Sequence, residues 1–213
     1  PGHLVTVSLD GPMELNDPIR GEGVFAKVRE AIFARDANDG TTVMLQMAVT
    51  RENAPGFEEF MAEVSQWPIN GVAFSLYVPV KNDQTGLDWK DLKERDNVWD
   101  PILALKEKYP SVVKSHVPTL ELMKSDVAIN STGENGEKCI LKRDTLPLYM
   151  GDGGQFEKPF CCYGNDVDCS HCGAYAVFNR AYLASQGRGD GSRYGRDGAA
   201  NGAAVVEQTS GKA

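Results

Sequence analysis

The chain has 213 residues, 41% hydrophobic, 8% aromatic and 24% charged, which is enough apolar material for one packed domain with a small appendage and excludes a wholly disordered polymer. Its formal net charge of −8 opposes attraction to phosphate backbones and anionic lipid, so nucleic acid is not an expected partner. No run approaches the roughly 18 to 20 apolar residues of a membrane span, and PGHLVTVSLDG lacks the basic and apolar regions of a signal peptide, so the expected setting is a reducing cytoplasm with no membrane span.

In chain order, strand-like runs occur from Leu4 to Leu9, from Val43 to Val49, from Val72 to Val78 and, briefly, at Val112 and Val113. Helical periods lie between them. Val24, Val28, Ala31 and Ile32 form one, and Phe57, Phe60, Met61 and Val64 form the clearest, with Pro55 in the tolerated first turn. A third runs through Val98, Ile102 and Leu105, where Pro101 either opens a helix capped by Asp100 or kinks one begun near Trp89. Strands alternating with helices imply parallel pairing, because parallel neighbours need a crossover and the crossover is usually a helix. The expected class is α/β. The first strand carries no charge, although exposed edges are normally blunted by charge or proline. Its natural neighbour is therefore expected outside this sequence, which would make the chain the C-terminal part of a longer protein.

The pattern breaks near Asn130, where NSTGENGEK reads as a loop. Residues 130–184 then hold all five cysteines, and 185–213 are Gly-rich and read as a disordered tail. The cysteine spacing is the strongest chemical signal: Cys139, 21 residues, the adjacent Cys161 and Cys162, six residues, Cys169, two residues, Cys172. A C-x-x-C pair lets two thiolates converge on one metal or cluster edge, and two sulfurs from a separate loop complete a tetrahedral set. An odd number of cysteines argues against a disulfide framework. Spacing alone leaves zinc and iron–sulfur both open. Of Cys161 and Cys162, one is expected as a ligand and the other as a spare thiol. His171, inside the turn, is read as a polar turn residue that is also able to replace a thiolate.

A second signal is VSLDGP. Ligands of parallel α/β units collect outside the C-terminal strand ends, where Ser8 and Asp10 stand here. Asp10 suits ribose hydroxyls or an ammonium group, and Arg20, in the following loop, suits a ligand carboxylate. A capping Asp and a solvated Arg would explain the same residues. Thr50 and Asn53 at the second strand end, and Ser75 and Tyr77 at the third, extend the rim, with Asn53 equally able to cap a helix.

VSLDGP, NDPIRGEGVFAKVREAI, LQMAVTREN and GVAFSLYVP together resemble the fourth to sixth strands and intervening helices of a radical S-adenosylmethionine enzyme barrel. The cysteine unit is similar to the auxiliary-cluster extensions, of SPASM or twitch kind, carried by many members. The resemblance covers about residues 3 to 180. It implies a partial TIM-like barrel over residues 1–129 and a Cys-rich extension over 130–184. It implies an auxiliary 4Fe-4S cluster held by Cys139, Cys161 or Cys162, Cys169 and Cys172, with S-adenosylmethionine near Ser8, Asp10, Arg20 and Asn53. It also implies an electron-donor protein as partner and a peptide, lipid or small metabolite as substrate; the loop KNDQTGLDWKD, a stretch that would touch substrate, has no diagnostic chemistry. The C-x-x-x-C-x-x-C loop that generates the radical in this family has no counterpart in the sequence. A non-catalytic α/β module with a structural zinc knot for protein interaction is the alternative.

Overall fold

The computed structural model describes residues 3–36, 39–144, 149–150, 153–157 and 167–188. Three parallel strands, β1 (Leu4–Ser8), β2 (Thr42–Val49) and β3 (Gly71–Leu76), form a sheet in the order β1-β2-β3. Val5 stands opposite Val43, and Leu45 opposite Val72. The helices α1 (Met13–Arg20) and α2 (Val24–Ala34) cross from β1 to β2, and α3 (Phe57–Val64) crosses from β2 to β3. The protein is thus α/β with a parallel sheet. A closed or half-closed barrel is not part of what these three strands form.

The α3 face behaves as its period dictates: Phe57, Phe60, Met61 and Val64 are all buried. Each such side chain taken from water contributes on the order of 2 kcal/mol. Phe57 meets Phe74 edge-on at 5.5 Å, and Phe25 meets Trp67 likewise at 5.5 Å. In α2 the buried residues are Phe25 and Ile32, with Val28 half-buried and Ala31 exposed, so the face is rotated from the expected one toward Phe25. Arg20 lies in the last turn of a helix rather than in a loop. NDP reads as a turn, yet Asp17 accepts hydrogen bonds from the backbone N–H groups of Gly23 (2.8 Å) and Phe25 (3.0 Å), tying α1 to the start of α2.

After β3 come α4 (Leu92–Asp96) and α5 (Trp99–Lys108). They are separate, and α5 begins before Pro101, which sits in its first turn where no N–H is needed. The Asp100 side chain does not cap it. Val113 forms only an isolated parallel bridge to Val72 in place of the expected short strand. Then follow α6 (Val117–Glu121), α7 (Ser125–Thr132), α8 (Ile140–Asp144), the two-residue strands β4 (Tyr149–Met150) and β5 (Phe156–Glu157), and α9 (Tyr175–Ser185). Cys139, Cys172, Val177 and Phe178 belong to the same apolar core as the sheet, so these parts of 130–184 pack with the strands. Residues 189–213 of the expected tail lie outside the described residues.

β1 pairs with β2 alone among the described residues, and it is the most exposed strand of its sheet, with Leu4 at 66% and Val5 at 43%. The uncharged edge read from the sequence is an open edge here. No helix of the described residues is long and apolar enough to cross a membrane.

Candidate functional site

Two polar centres sit at the C-terminal ends of the strands. The first is a corner after β1 and β2. Asp10 is 1% exposed; its Oδ1 accepts from the Ala48 backbone N–H at 2.8 Å and its Oδ2 accepts from Arg20 Nε. Its own N–H donates to Asn16 Oδ1 at 2.9 Å. Asn53, fully buried, accepts from the Thr50 N–H at 2.7 Å and donates to the Ala48 carbonyl at 2.9 Å. Ala48 is held through its N–H by Asp10 and through its C=O by Asn53. Asp10, Arg20 and Asn53 are therefore brought together, but Asp10 and Asn53 offer their polar groups to the chain itself. Ser8 stands apart and exposed, and the Arg20 side chain keeps 35% of its surface.

The second centre is built on β3. Ser75 Oγ donates to the Gly173 carbonyl at 3.1 Å and accepts from the Tyr175 N–H at 3.1 Å, while the Leu76 N–H donates to the same Gly173 carbonyl at 2.8 Å. A Cβ on Gly173 would lie 2.2 Å from Leu76 Cβ, so the glycine is required by close approach to the sheet. Upstream, Val167 bridges Val80 antiparallel, and the Asp168 N–H donates to the Pro79 carbonyl at 2.9 Å. Between these two ties hangs the 3-10 turn Cys169–His171, capped by Asp168, whose Oδ1 accepts from the Ser170 N–H at 3.0 Å and from its hydroxyl.

That turn brings sulfur together with sulfur. Cys139, Cys169 and Cys172 all border one small cavity, with Gly136, Lys142 and Val167 completing much of its wall. No disulfide joins the three. Gly136 has φ +73°, and a Cβ there would sit 2.8 Å from Cys169 Sγ, so the absence of a side chain keeps space beside that sulfur. Burial raises the Cys169 thiol pKa; Lys142 opposes this, the nearby Cys139 and Asp168 add to it, and Lys81 opposes it. Among the described residues no three Cys, His, Asp or Glu side chains are drawn into a metal-holding group. Cys161 and Cys162 lie outside the described residues. Three thiols bordering one cavity, with glycine leaving room at one of them, are the donor type of a thiolate-ligated centre, although among the described residues they are not drawn together into one.

His171 is neither a thiol substitute turned to the cavity nor a loose polar residue: its Nδ1 meets Asp88 Oδ2 at 2.7 Å. Its carbonyl accepts from Arg95 Nη1 at 3.0 Å. Arg95 is 1% exposed, and sequence reasoning missed it because LKERD reads as a solvated charged helix. Beyond the turn lies an open groove of about 720 Å³ lined by Lys81, Asn82, Glu134, Asn135, Asp168 and Ser170 among others. Asn82 holds φ +62°, a left-handed conformation uncommon for a non-glycine residue. The segments 134–136 and 168–170 serve both spaces: Glu134, Asn135, Asp168 and Ser170 face the groove, whereas Gly136 and Cys169 face the thiol cavity.

In comparisons with known proteins, no family model matches this chain, and no curated protein or solved structure is significantly similar to it.

Proposed function

We propose that this chain is the C-terminal part of a radical S-adenosylmethionine enzyme that carries an auxiliary 4Fe-4S cluster at the thiol cavity. The observation that carries the reading is the meeting of Cys139, Cys169 and Cys172 at one cavity wall beside the C-terminal end of a parallel strand. Either Cys161 or Cys162 supplies the fourth thiolate. When bound, such a cluster supplies electron transfer or a ligation point for substrate. The open, uncharged edge of β1 supports the reading as the place where the remaining barrel strands add. The radical-generating C-x-x-x-C-x-x-C loop belongs to that remainder, so this chain alone does not perform the reaction.

At the strand ends, Ser8 and Arg20 are the groups S-adenosylmethionine meets, while Asp10 and Asn53 hold the rim in shape from behind. The substrate, a peptide, lipid or small metabolite, enters by the groove that Lys81 and Asn82 of KNDQTGLDWKD help to line, one residue's thickness from the thiols. An electron-donor protein serves as partner, and the setting is a reducing cytoplasm.

The test is metal content after anaerobic reconstitution with iron and sulfide. About four iron and four sulfide per chain, with a brown chromophore, is the expected result. A colourless chain holding one zinc ion would replace the reading with a structural knot for protein contacts.

A further inference from the structure

Arg95 is the largest fully buried side chain described in the protein, and its guanidinium is poorly served. Nη1 donates to the His171 carbonyl at 3.0 Å, Nη2 reaches the Met123 carbonyl at 3.5 Å, and Nε has no partner. Asp96 and Asp88 lie near enough to favour its charge, as does Cys172, although neither carboxylate is within ion-pair distance among the described residues. Asp96 directs its oxygens to Ser125 and Trp99, and Asp88 directs one oxygen to His171. Removing a guanidinium from water costs several kcal/mol, and the two carbonyl oxygens with the more distant carboxylates of Asp96 and Asp88 return only part of that. Arginine stays charged in proteins, so the cost is not avoided by losing a proton.

The contact that Arg95 does make places its charge at the sulfur-bearing turn. His171, whose carbonyl it holds, directly precedes Cys172, and Cys172 is itself buried. Lys142 and Lys81 are also near Cys169 but are exposed, where water and salt weaken their fields. A buried cation acts through a lower dielectric and over a longer reach.

We infer that Arg95 is the built-in countercharge of the thiol cavity: its guanidinium positions the turn through the His171 carbonyl and offsets the negative charge of a thiolate-ligated centre. This inference rests on the cluster reading. Arg95 touches neither substrate nor cofactor and is a positioning residue. Because an iron–sulfur cluster gains negative charge on reduction, a fixed buried cation makes reduction easier, and the reduction potential is the property that a purely structural arginine would leave alone.

The experiment uses the full chain reconstituted anaerobically with iron and sulfide, in three forms: wild type, Arg95→Gln and Arg95→Lys. Arg95→Gln is expected to shift the cluster potential to more negative values and to release iron to a chelator about tenfold faster or more, the range seen when outer partners of metal ligands are removed. Arg95→Lys retains the charge and is expected to keep a potential close to wild type. Circular dichroism reports which variants fold. Folded Arg95→Gln with an unchanged potential would overturn the inference, as would Arg95→Lys falling as far as Arg95→Gln. Should Arg95→Gln not fold, Arg95→Lys decides: a wild-type potential supports the countercharge, and a lowered one overturns it. A wild-type chain that takes up no iron defeats the cluster reading and this inference together, whereas iron-loaded wild type with an insensitive Arg95 defeats only the latter.

Discussion

Around Asp10, two buried polar side chains turn every polar atom they own back onto the chain, and Ala48 is gripped from both sides. Around Cys169, three thiols border a space, and a glycine keeps that space from being filled. Both centres are at strand ends, where a parallel sheet places ligands, yet they differ in what they leave over. A polar group satisfied internally stabilises the fold and has little left for a ligand; a reactive group facing a cavity contributes less to the fold and is available for binding.

Substitutions at the two centres should separate along that line. Cys169→Ala and Cys172→Ala are each expected to abolish iron uptake while leaving the circular dichroism of the sheet intact; of Cys161→Ala and Cys162→Ala, only one should do so. Iron analysis of the four reconstituted variants checks this, and equal loss in both adjacent cysteines would contradict the assignment of a single ligand. Asp10→Ala strands the Ala48 N–H and leaves Arg20 without its carboxylate, so it should lower stability by about 3 kcal/mol in urea titration. Its iron-to-chain ratio should be unchanged while the protein is folded. Loss of iron by folded Asp10→Ala would dissolve the distinction between the centres.

Gly136→Ala tests the space itself. A Cβ at φ +73° is strained by about 1 to 2 kcal/mol, and it presses on Cys169 Sγ. A modest drop in thermal midpoint together with slower iron uptake is expected; full uptake would mean the gap is incidental. The smallest effect concerns pH. His116 is half-buried, and burial, with Lys106 nearby, holds its imidazole below the ordinary value of 6.5. The unfolded chain therefore binds this proton first, so stability is fully present above about pH 6.5 and declines as the pH falls toward the folded-state value. His116→Gln should flatten that part of the curve of thermal midpoint against pH, leaving the thiol centre unaffected.

The parallel sheet, the α3 face and the strand ends were legible because period and alternation are properties of single segments: Phe57, Phe60, Met61 and Val64 point one way whatever surrounds them. The helix Met13–Arg20 was hidden by Pro18 and by Asp17, a turn-forming residue whose caps are on the next helix. Local composition also says nothing about burial of Arg95, because the groups that surround it, Met123 and His171, come from distant parts of the chain. The C-x-x-C spacing of Cys169 and Cys172 was visible in the sequence; that Cys139 borders the same cavity came from the structure. That Gly173 is required by Leu76, and Gly136 by Cys169, was not visible, since both demands arise from pairs of atoms far apart in sequence.

The tie between Gly173 and the end of β3 makes loading and unfolding a single thermodynamic problem. A ligand at the thiols would bind only while the last residues of β3 keep their geometry, so it would stabilise the fold by a free energy that grows with the logarithm of free ligand over its dissociation constant. A chelator would then act against the third strand as well, and a heated chain would give up a bound centre at the temperature where that strand lets go.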